Sequence, residues 1–171
     1  MPSTERKLKL LFLCTGNSCR SQMAEGWTRR LRGDVIEAYS AGIEAHGLDP
    51  CAVKVMEEAG VDMSHQRSQR VGELEQTRFD FVVTVCGHAD EHCPVFPERT
   101  KVIHVGFDDP PKLAREAKTE GDAFVHYRRV RDEIRAFVET LPEAIQGVDQ
   151  PGQPEIRQRT THSEWEGEAG R

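Results

Sequence analysis

The sequence predicts an α/β protein in which a four-stranded parallel sheet lies between two layers of helices. Short apolar runs, typical of strands buried on both faces, alternate with segments of helical periodicity. The order of these segments is β-α-β-α-α-β-β-α, which is typical of a three-layer α/β sandwich. A chain of 171 residues is long enough for one well-buried domain.

The strand candidates are the β-branched or continuously apolar runs at residues 8–13, 35–40, 81–85 and 101–105. The first run ends abruptly at a Gly-containing loop that begins with Cys14, and the third is followed by Cys86. Ligands of open parallel sheets bind beyond the carboxyl ends of the strands. Both cysteines are therefore predicted to face one binding crevice.

Four helices are predicted between and after these strands. The first begins at Ser21 and is closed by Gly33, and the second runs from Pro50 to Gly60. Residues 68–74 are expected to form a short polar helix, and residues 122–140 a long amphipathic one. We expect residues 1–145 to form a single catalytic domain. Residues 146–171 lose apolar periodicity and are expected to form a polar, disordered or loosely docked tail.

Composition excludes several classes of function. A net charge of −6 and a pI near 5.7 argue against nucleic acid or an anionic membrane as a partner. No apolar run is long enough to span a bilayer or to act as a secretory signal. The five cysteines do not indicate a disulfide scaffold in a chain of this type, which favours a reducing compartment. We expect a cytoplasmic monomer.

The loop between the first strand and the first helix predicts an anion site. Cys14 is followed six positions later by Arg20, a spacing that lets successive backbone N–H groups converge on one tetrahedral anion. Gly16 and Asn17 are expected to supply unusual backbone angles, and Arg20 a planar fork for two oxyanion oxygens. The predicted oxyanion-binding residues are Thr15, Gly16, Asn17, Ser18, Cys19 and Arg20.

These features also favour the thiolate of Cys14, which is the predicted nucleophile. Ser21 is placed to donate a hydrogen bond to that thiolate. The simpler interpretation is a buried cysteine that ends a strand before an ordinary Gly–Asn turn. The combined Cys, Arg and Ser pattern in a strand–loop–helix context favours the anion site. Cys19 and Cys51 are expected to be structural.

At these residues the chain resembles the low-molecular-weight tyrosine phosphatase superfamily, specifically its thioredoxin-coupled arsenate reductases. The resemblance spans about residues 7–141, and its segments are CTGNSCRSQMAEG at 14–26, YSAG at 39–42, VTVC at 83–86, CP at 93–94, GFDDP at 106–110 and RVRDEI at 129–134. It implies a flavodoxin-like fold, arsenate as the substrate, thioredoxin as the reductant and no organic cofactor.

The implied reaction needs more than one thiol, because arsenate accepts two electrons on becoming arsenite. A second thiol, Cys86, would attack Cys14, and a third, Cys93, would take over the disulfide. If residues 86–93 formed a rigid helix, its ends would lie about 10 Å apart. Disulfide Cα atoms lie within about 7 Å. Closing a Cys86–Cys93 bond is therefore expected to require local rearrangement.

The general acid is expected at Asp109, because Pro110 restricts its backbone and the superfamily places its acid directly before a proline. A turn aspartate is the simpler interpretation. Pro111 and Lys112 follow where the phosphatase branch usually carries an aromatic residue, which favours a small inorganic substrate. A phosphomonoesterase stays open as an alternative.

The other alternative is a redox-sensing or zinc-binding module, since Cys86, His88, His92 and Cys93 are all potential zinc ligands. The adjacent pair His92–Cys93 departs from the usual ligand spacing, and no metal is predicted. Some reductases of this branch bind potassium through positions that match Asn17, Glu25, Ser40 and an aspartate. Gln69 stands at the last position, so no potassium site is predicted here.

Overall fold

A computed structural model describes residues 6–147 and 157–158. Four parallel strands form its central sheet, as predicted, and their order is β2-β1-β3-β4. They are β1 (Leu8–Cys14), β2 (Ile36–Gly42), β3 (Phe81–Thr84) and β4 (Lys101–His104). The central strands are apolar on both faces because both faces are covered, and Leu10 to Leu13 of β1 are fully buried.

Connection handedness places the helices on both sides of this sheet. The chain moves from β1 to β2 in one direction across the sheet, and from β3 to β4 in the other. Parallel crossovers are right-handed, so α1 (Arg20–Arg32) and α3 (Gly87–Glu91) lie on opposite faces. The loops after β1 and β3 therefore diverge, and a crevice opens between them.

The other helices complete the layers. They are α2 (Pro50–Glu58), α4 (Pro110–Ala114), α5 (Glu120–Glu139) and α6 (Glu143–Gln146). The long helix α5 packs against α1, α2 and α4. It buries the apolar stripe that the sequence predicts, including Tyr127, Val130, Ile134 and Val138.

The polar helix predicted at 68–74 is wrong in its first half. Only Val71–Leu74 is helical, as a short 3-10 turn. The preceding backbone is extended, because Arg70 forms a parallel bridge with Gly42 and the carbonyl of Gln69 accepts a hydrogen bond from the N–H of Gly42 at 2.8 Å. This extended stretch lies beside the carboxyl end of β2, next to the Cys14 loop.

The tail contributes one element that the sequence analysis does not predict. β5 (Arg157–Gln158) pairs antiparallel with β4. The rest of the expected tail beyond Gly147 lies outside the described residues. Within the described residues, no helix is long and apolar enough to cross a membrane.

Candidate functional site

The loop after β1 turns its backbone donors toward its own centre. The carbonyl oxygens of Cys14, Thr15, Gly16 and Ser18 accept hydrogen bonds from the backbone N–H groups of Ile43, Glu44, His46 and Asp49, at 2.8–3.1 Å. In a trans peptide unit the carbonyl and the following N–H point in opposite directions. Because these carbonyls point out of the loop, the N–H groups that follow them point toward its centre. The N–H groups of residues 15–19 have no hydrogen-bond partner among the described residues. Such a set of convergent donors is an anion-binding nest.

Asn17 is the residue that bends this loop. Its φ of 48° lies in the left-handed region, and its side chain is fully buried. Its Oδ1 accepts from the N–H of Gln69 at 2.8 Å and from Gln22 Nε2 at 3.0 Å. These two bonds fix the orientation of the side-chain amide.

Gly16 serves a different purpose from the one predicted. It is not among the described residues with positive φ. A Cβ at this position would lie 2.3 Å from Nδ1 of His46, so glycine is needed for close approach. The backbone N–H of His46, a residue with no role predicted from the sequence, donates to the Gly16 carbonyl at 2.8 Å.

A directed chain of hydrogen bonds ends on the Cys14 thiol. Asn17 Nδ2 donates to Ser21 Oγ at 2.9 Å, and Ser21 Oγ lies 3.0 Å from Cys14 Sγ. Because the amide can only donate through its nitrogen, the single hydroxyl proton of Ser21 is free to point at the sulfur. The contact expected between Ser21 and Cys14 is therefore present, with a polarity that stabilises a thiolate.

Arg20 and Asp109 lie together at the rim of the loop. Arg20 begins α1, is mostly buried, and donates from Nη1 to the carbonyl of Phe107 at 3.0 Å. Its Nη2 lies 3.7 Å from Asp109 Oδ1. The neighbouring Asp108 points elsewhere, since its carboxylate pairs with Arg129 on α5 at 2.9 Å. Of the two aspartates, only Asp109 is thus near the loop.

Cys86 reaches the same crevice from β3. Its Sγ lies 3.4 Å from Oγ1 of Thr15, the residue after Cys14. Its Sγ also accepts a hydrogen bond from the N–H of Ala89 at 3.4 Å, so Cys86 caps α3. Cys93 follows α3 and is half-buried against the core. The segment between the two cysteines is thus a folded helical turn, as the sequence analysis considered.

The remaining two cysteines are less suited to nucleophilic chemistry. Burial raises the pKa of the Cys19 thiol well above its usual value, and Cys19 packs in the hydrophobic core. Burial and the nearby Asp49 carboxylate also raise the pKa of Cys51. A raised pKa leaves little thiolate at neutral pH.

The residues at the potassium positions do not fit a cation. Ser40 Oγ donates to Glu25 Oε1 at 2.8 Å, and Arg29 pairs with the other carboxylate oxygen at 3.2 Å. Gln69 turns its amide nitrogen toward the carbonyl of Ser40, at 3.1 Å. Together with the two donors on Asn17 Oδ1, these groups already occupy the oxygens that would ligate a cation.

Glu25 itself is predicted to limit stability at neutral pH. Burial raises the pKa of its carboxyl group, and this outweighs the opposing effects of Ser40 and Arg29. Since the folded state binds this proton more tightly than the unfolded state, unfolding free energy falls as pH rises through the folded pKa. We expect Glu25→Gln to raise Tm at pH 7 by about 2–4 °C, or about 1 kcal/mol for a domain of this size.

Thermal unfolding of Glu25→Gln between pH 4 and pH 8 would measure this effect, with the exposed Glu57→Gln as the matched control. The gain should shrink toward pH 4, where wild-type Glu25 is itself protonated. A lower Tm for Glu25→Gln at pH 7 would mean that the Arg29 ion pair outweighs the burial of the carboxylate.

No metal centre accompanies the site in the described part of the chain. No three His, Cys, Asp or Glu side chains within it are grouped so as to hold a metal ion. The side chains of His88 and His92 stack on each other, with ring centroids 4.2 Å apart. The zinc alternative therefore gains no support from the arrangement around α3.

Two features of the site are absent from the sequence analysis. One is the network that fixes Asn17, in which Gln22 Nε2 also donates to the carbonyl of Arg67. The other is the contact between Thr15 and Cys86. Gln22 could have been predicted from the sequence, because it is a polar residue in the first turn of a helix face that is otherwise buried. The Thr15–Cys86 contact could not, because it depends on the pairing of β1 with β3.

Comparison with known proteins agrees with this geometry. The family model described as "Low molecular weight phosphotyrosine protein phosphatase" matches residues 9–150. An arsenate reductase of Bacillus subtilis is 51% identical over 135 residues, which cover 77% of this chain and 95% of the relative. One from Halalkalibacterium halodurans is 49% identical over 137 residues, covering 80% and 96%.

A solved structure extends the likeness to three dimensions. The crystal structure of an arsenate reductase from Archaeoglobus fulgidus superposes with a TM-score of 0.61 at 31% identity, over 77% of this chain and 97% of that one. From its family match and from its curated relatives, the chain belongs to the low molecular weight phosphotyrosine protein phosphatase family, among the arsenate reductases.

Proposed function

We propose that this chain reduces arsenate to arsenite by a relay of three thiols, Cys14, Cys86 and Cys93, with thioredoxin as the final reductant. The observation that carries the proposal is the crevice between the carboxyl ends of β1 and β3. There the donor-lined loop of Cys14 adjoins Cys86 through Thr15. The arsenate reductases to which the chain is similar support arsenate as the substrate.

In the first step the loop holds the tetrahedral anion with the N–H groups of residues 15–19 and the guanidinium of Arg20. The Cys14 thiolate, stabilised by Ser21, attacks arsenic. Asp109 donates a proton to the departing oxygen, which leaves as water. The position of Asp109 beside Arg20 supports this role, because both groups then face the same anion.

In the second step Cys86 Sγ attacks Cys14 Sγ, and the arsenic–sulfur bond breaks. Its electron pair stays on arsenic, which leaves as arsenite, while two thiols have become one disulfide. Cys93 then attacks Cys86 Sγ, and Cys14 departs as a thiolate. The dithiol of thioredoxin reduces the resulting Cys86–Cys93 bond.

We also propose a compartment, an oligomeric state and a domain organisation for the enzyme. The relay needs reduced thiols before each turnover, which favours the cytoplasm. The negative net charge favours a monomer without nucleic-acid or membrane partners, and residues 1–145 serve as the single catalytic domain. No cofactor is needed, because the protein's own thiols supply the two electrons.

The test is arsenate-dependent oxidation of NADPH in the presence of thioredoxin and thioredoxin reductase. We expect turnover by the wild type and a loss of at least about 10³-fold in Cys14→Ser, as is typical on removal of a nucleophile. Cys51→Ser is the matched control and should keep full activity, since burial and the Asp49 carboxylate raise the pKa of Cys51 and leave it little thiolate.

Other outcomes would favour the alternatives. Hydrolysis of a phosphomonoester without arsenate-dependent oxidation would favour the phosphatase. Thioredoxin-coupled turnover of the Cys86–Cys93 pair without any response to arsenate would favour a redox module. Stoichiometric zinc in the purified protein would favour a zinc-binding module.

A further inference from the structure

A buried polar network joins α3 to the sheet beneath it. Asp90 lies on α3 and is 1% exposed. Thr84 Oγ1 at the end of β3 lies 3.3 Å from Asp90 Oδ1 and 2.9 Å from Nδ1 of His104 on β4. Within the described residues, the second carboxylate oxygen of Asp90 is buried and has no hydrogen-bond partner.

Counting protons fixes the direction of this network. Thr84 has one hydroxyl proton, for which the Ile103 carbonyl at 3.5 Å is a longer alternative acceptor, and the Asp90 carboxylate has no other donor among the described residues. If Thr84 donated to His104, both oxygens of the buried carboxylate would be left without a donor, which is costly. His104 therefore carries a proton on Nδ1 and donates to Thr84, and Thr84 donates to Asp90.

The network fastens the segment that must move in the relay. Asp90 donates its backbone N–H to the carbonyl of Cys86 at 3.1 Å, and Ala89 donates to the Cys86 sulfur. The helix α3 lies between Cys86 and Cys93. A rigid helical segment of this length would hold their Cα atoms about 10 Å apart, beyond the about 7 Å of a disulfide, so the proposed relay requires α3 to open. Opening α3 would carry Asp90 away from Thr84 and into water.

We propose that Asp90 is a positioning residue that holds α3 over Cys86 through Thr84 and His104, while its unpaired oxygen keeps α3 ready to open. This inference rests on the proposed relay. A fully satisfied anchor would resist closure of the Cys86–Cys93 bond. An absent anchor would let α3 open before arsenate is bound. Among the described residues, the Asp90 carboxylate accepts one hydrogen bond, which puts the anchor between these two extremes.

Substitutions at the two ends of the Thr84–Asp90 bond should act in opposite directions. Asp90→Asn still accepts from Thr84 but buries a neutral amide, which costs less than a carboxylate with one unpaired oxygen. It should stabilise closed α3. Thr84→Val removes the one donor that the carboxylate has among the described residues and should destabilise closed α3. Thr84→Ser keeps the hydroxyl and should restore wild-type behaviour.

Hydrogen exchange of the amides of residues 87–92 in the reduced protein gives the first measurement. We expect exchange about tenfold slower in Asp90→Asn and about tenfold faster in Thr84→Val. The exposed Glu91→Gln, an acid-to-amide change on the same helix, is the matched control and should not differ from wild type. The amides of α5 report in the same experiment that each variant is folded.

The second measurement is the reduction potential of the Cys86–Cys93 pair, determined in variants that also carry Cys14→Ser. A tenfold change in the dithiol–disulfide equilibrium is about 30 mV. Asp90→Asn should raise the potential by about that amount, and Thr84→Val should lower it. Shifts of the same sign, or no shift in either variant, would overturn the inference. Neither measurement uses arsenate, so this outcome is distinct from failure of the proposed reductase activity.

Discussion

Replacing Cys93 by serine is expected to stop the enzyme after a single turnover. Without the third thiol, the oxidised protein is left with a Cys14–Cys86 disulfide. Both of these residues are at most 5% exposed, so a protein reductant cannot reach the bond between them. We expect a burst of one arsenite per protein molecule, followed by a steady rate at least about 100-fold below wild type.

Rapid-quench measurement of arsenite, with mass mapping of the disulfide, would check this result. Cys86→Ser should show no burst, because the arsenic attached to Cys14 then has no second thiol to release it. Cys51→Ser should turn over continuously. Continuous turnover by Cys93→Ser would contradict the three-thiol relay and indicate that Cys14–Cys86 is reduced directly.

Arg20→Lys is expected to have a comparably large effect, on binding as well as on chemistry. The planar fork of Arg20 is held by the carbonyl of Phe107 and lies beside Asp109. A lysine keeps the charge but lacks the planar fork that binds two oxyanion oxygens through parallel N–H groups, and it cannot keep the Phe107 contact while reaching the anion. We expect kcat/KM for arsenate to fall by about 10²–10³-fold.

Steady-state kinetics with arsenate, together with inhibition by phosphate, would measure this loss. Phosphate has the same shape and charge, so its inhibition constant should rise in the same variant. Arg30→Lys, on the exposed side of the same helix, is the control and should behave as wild type. An unchanged kcat/KM in Arg20→Lys would mean that the backbone N–H groups alone hold the anion.

Much of this site could be predicted because its chemistry is local in the chain. The loop from Cys14 to Ser21 contains the proposed nucleophile, the proposed anion donors and the hydroxyl that contacts the Cys14 sulfur, all within eight consecutive residues. Their spacing between a strand and a helix is readable without a structure. The position of Cys86 was likewise predictable, because parallel strands end at a common edge of the sheet.

The rest depends on contacts between distant segments, which sequence patterns do not encode. Gly16 is needed because His46 approaches it, and the expected helix before Val71 is replaced by backbone that pairs with Gly42. In both cases a contact with a segment distant in the sequence, a side chain for Gly16 and a β-bridge for Arg70, determines which residue or conformation is needed. The polar burial of Asp90 is another such case, since a five-residue helix gives too few turns to reveal a buried face.

The strand order β2-β1-β3-β4 has a mechanical consequence. The Cys14 loop is continuous with α1 on one face of the sheet, and Cys86 and Cys93 flank α3 on the other. The sheet separates the two helices, so α3 can open while α1 keeps its packing on the opposite face. In the proposed relay, the segment between Cys86 and Cys93 would therefore rearrange while the loop that binds arsenate keeps its place beside α1.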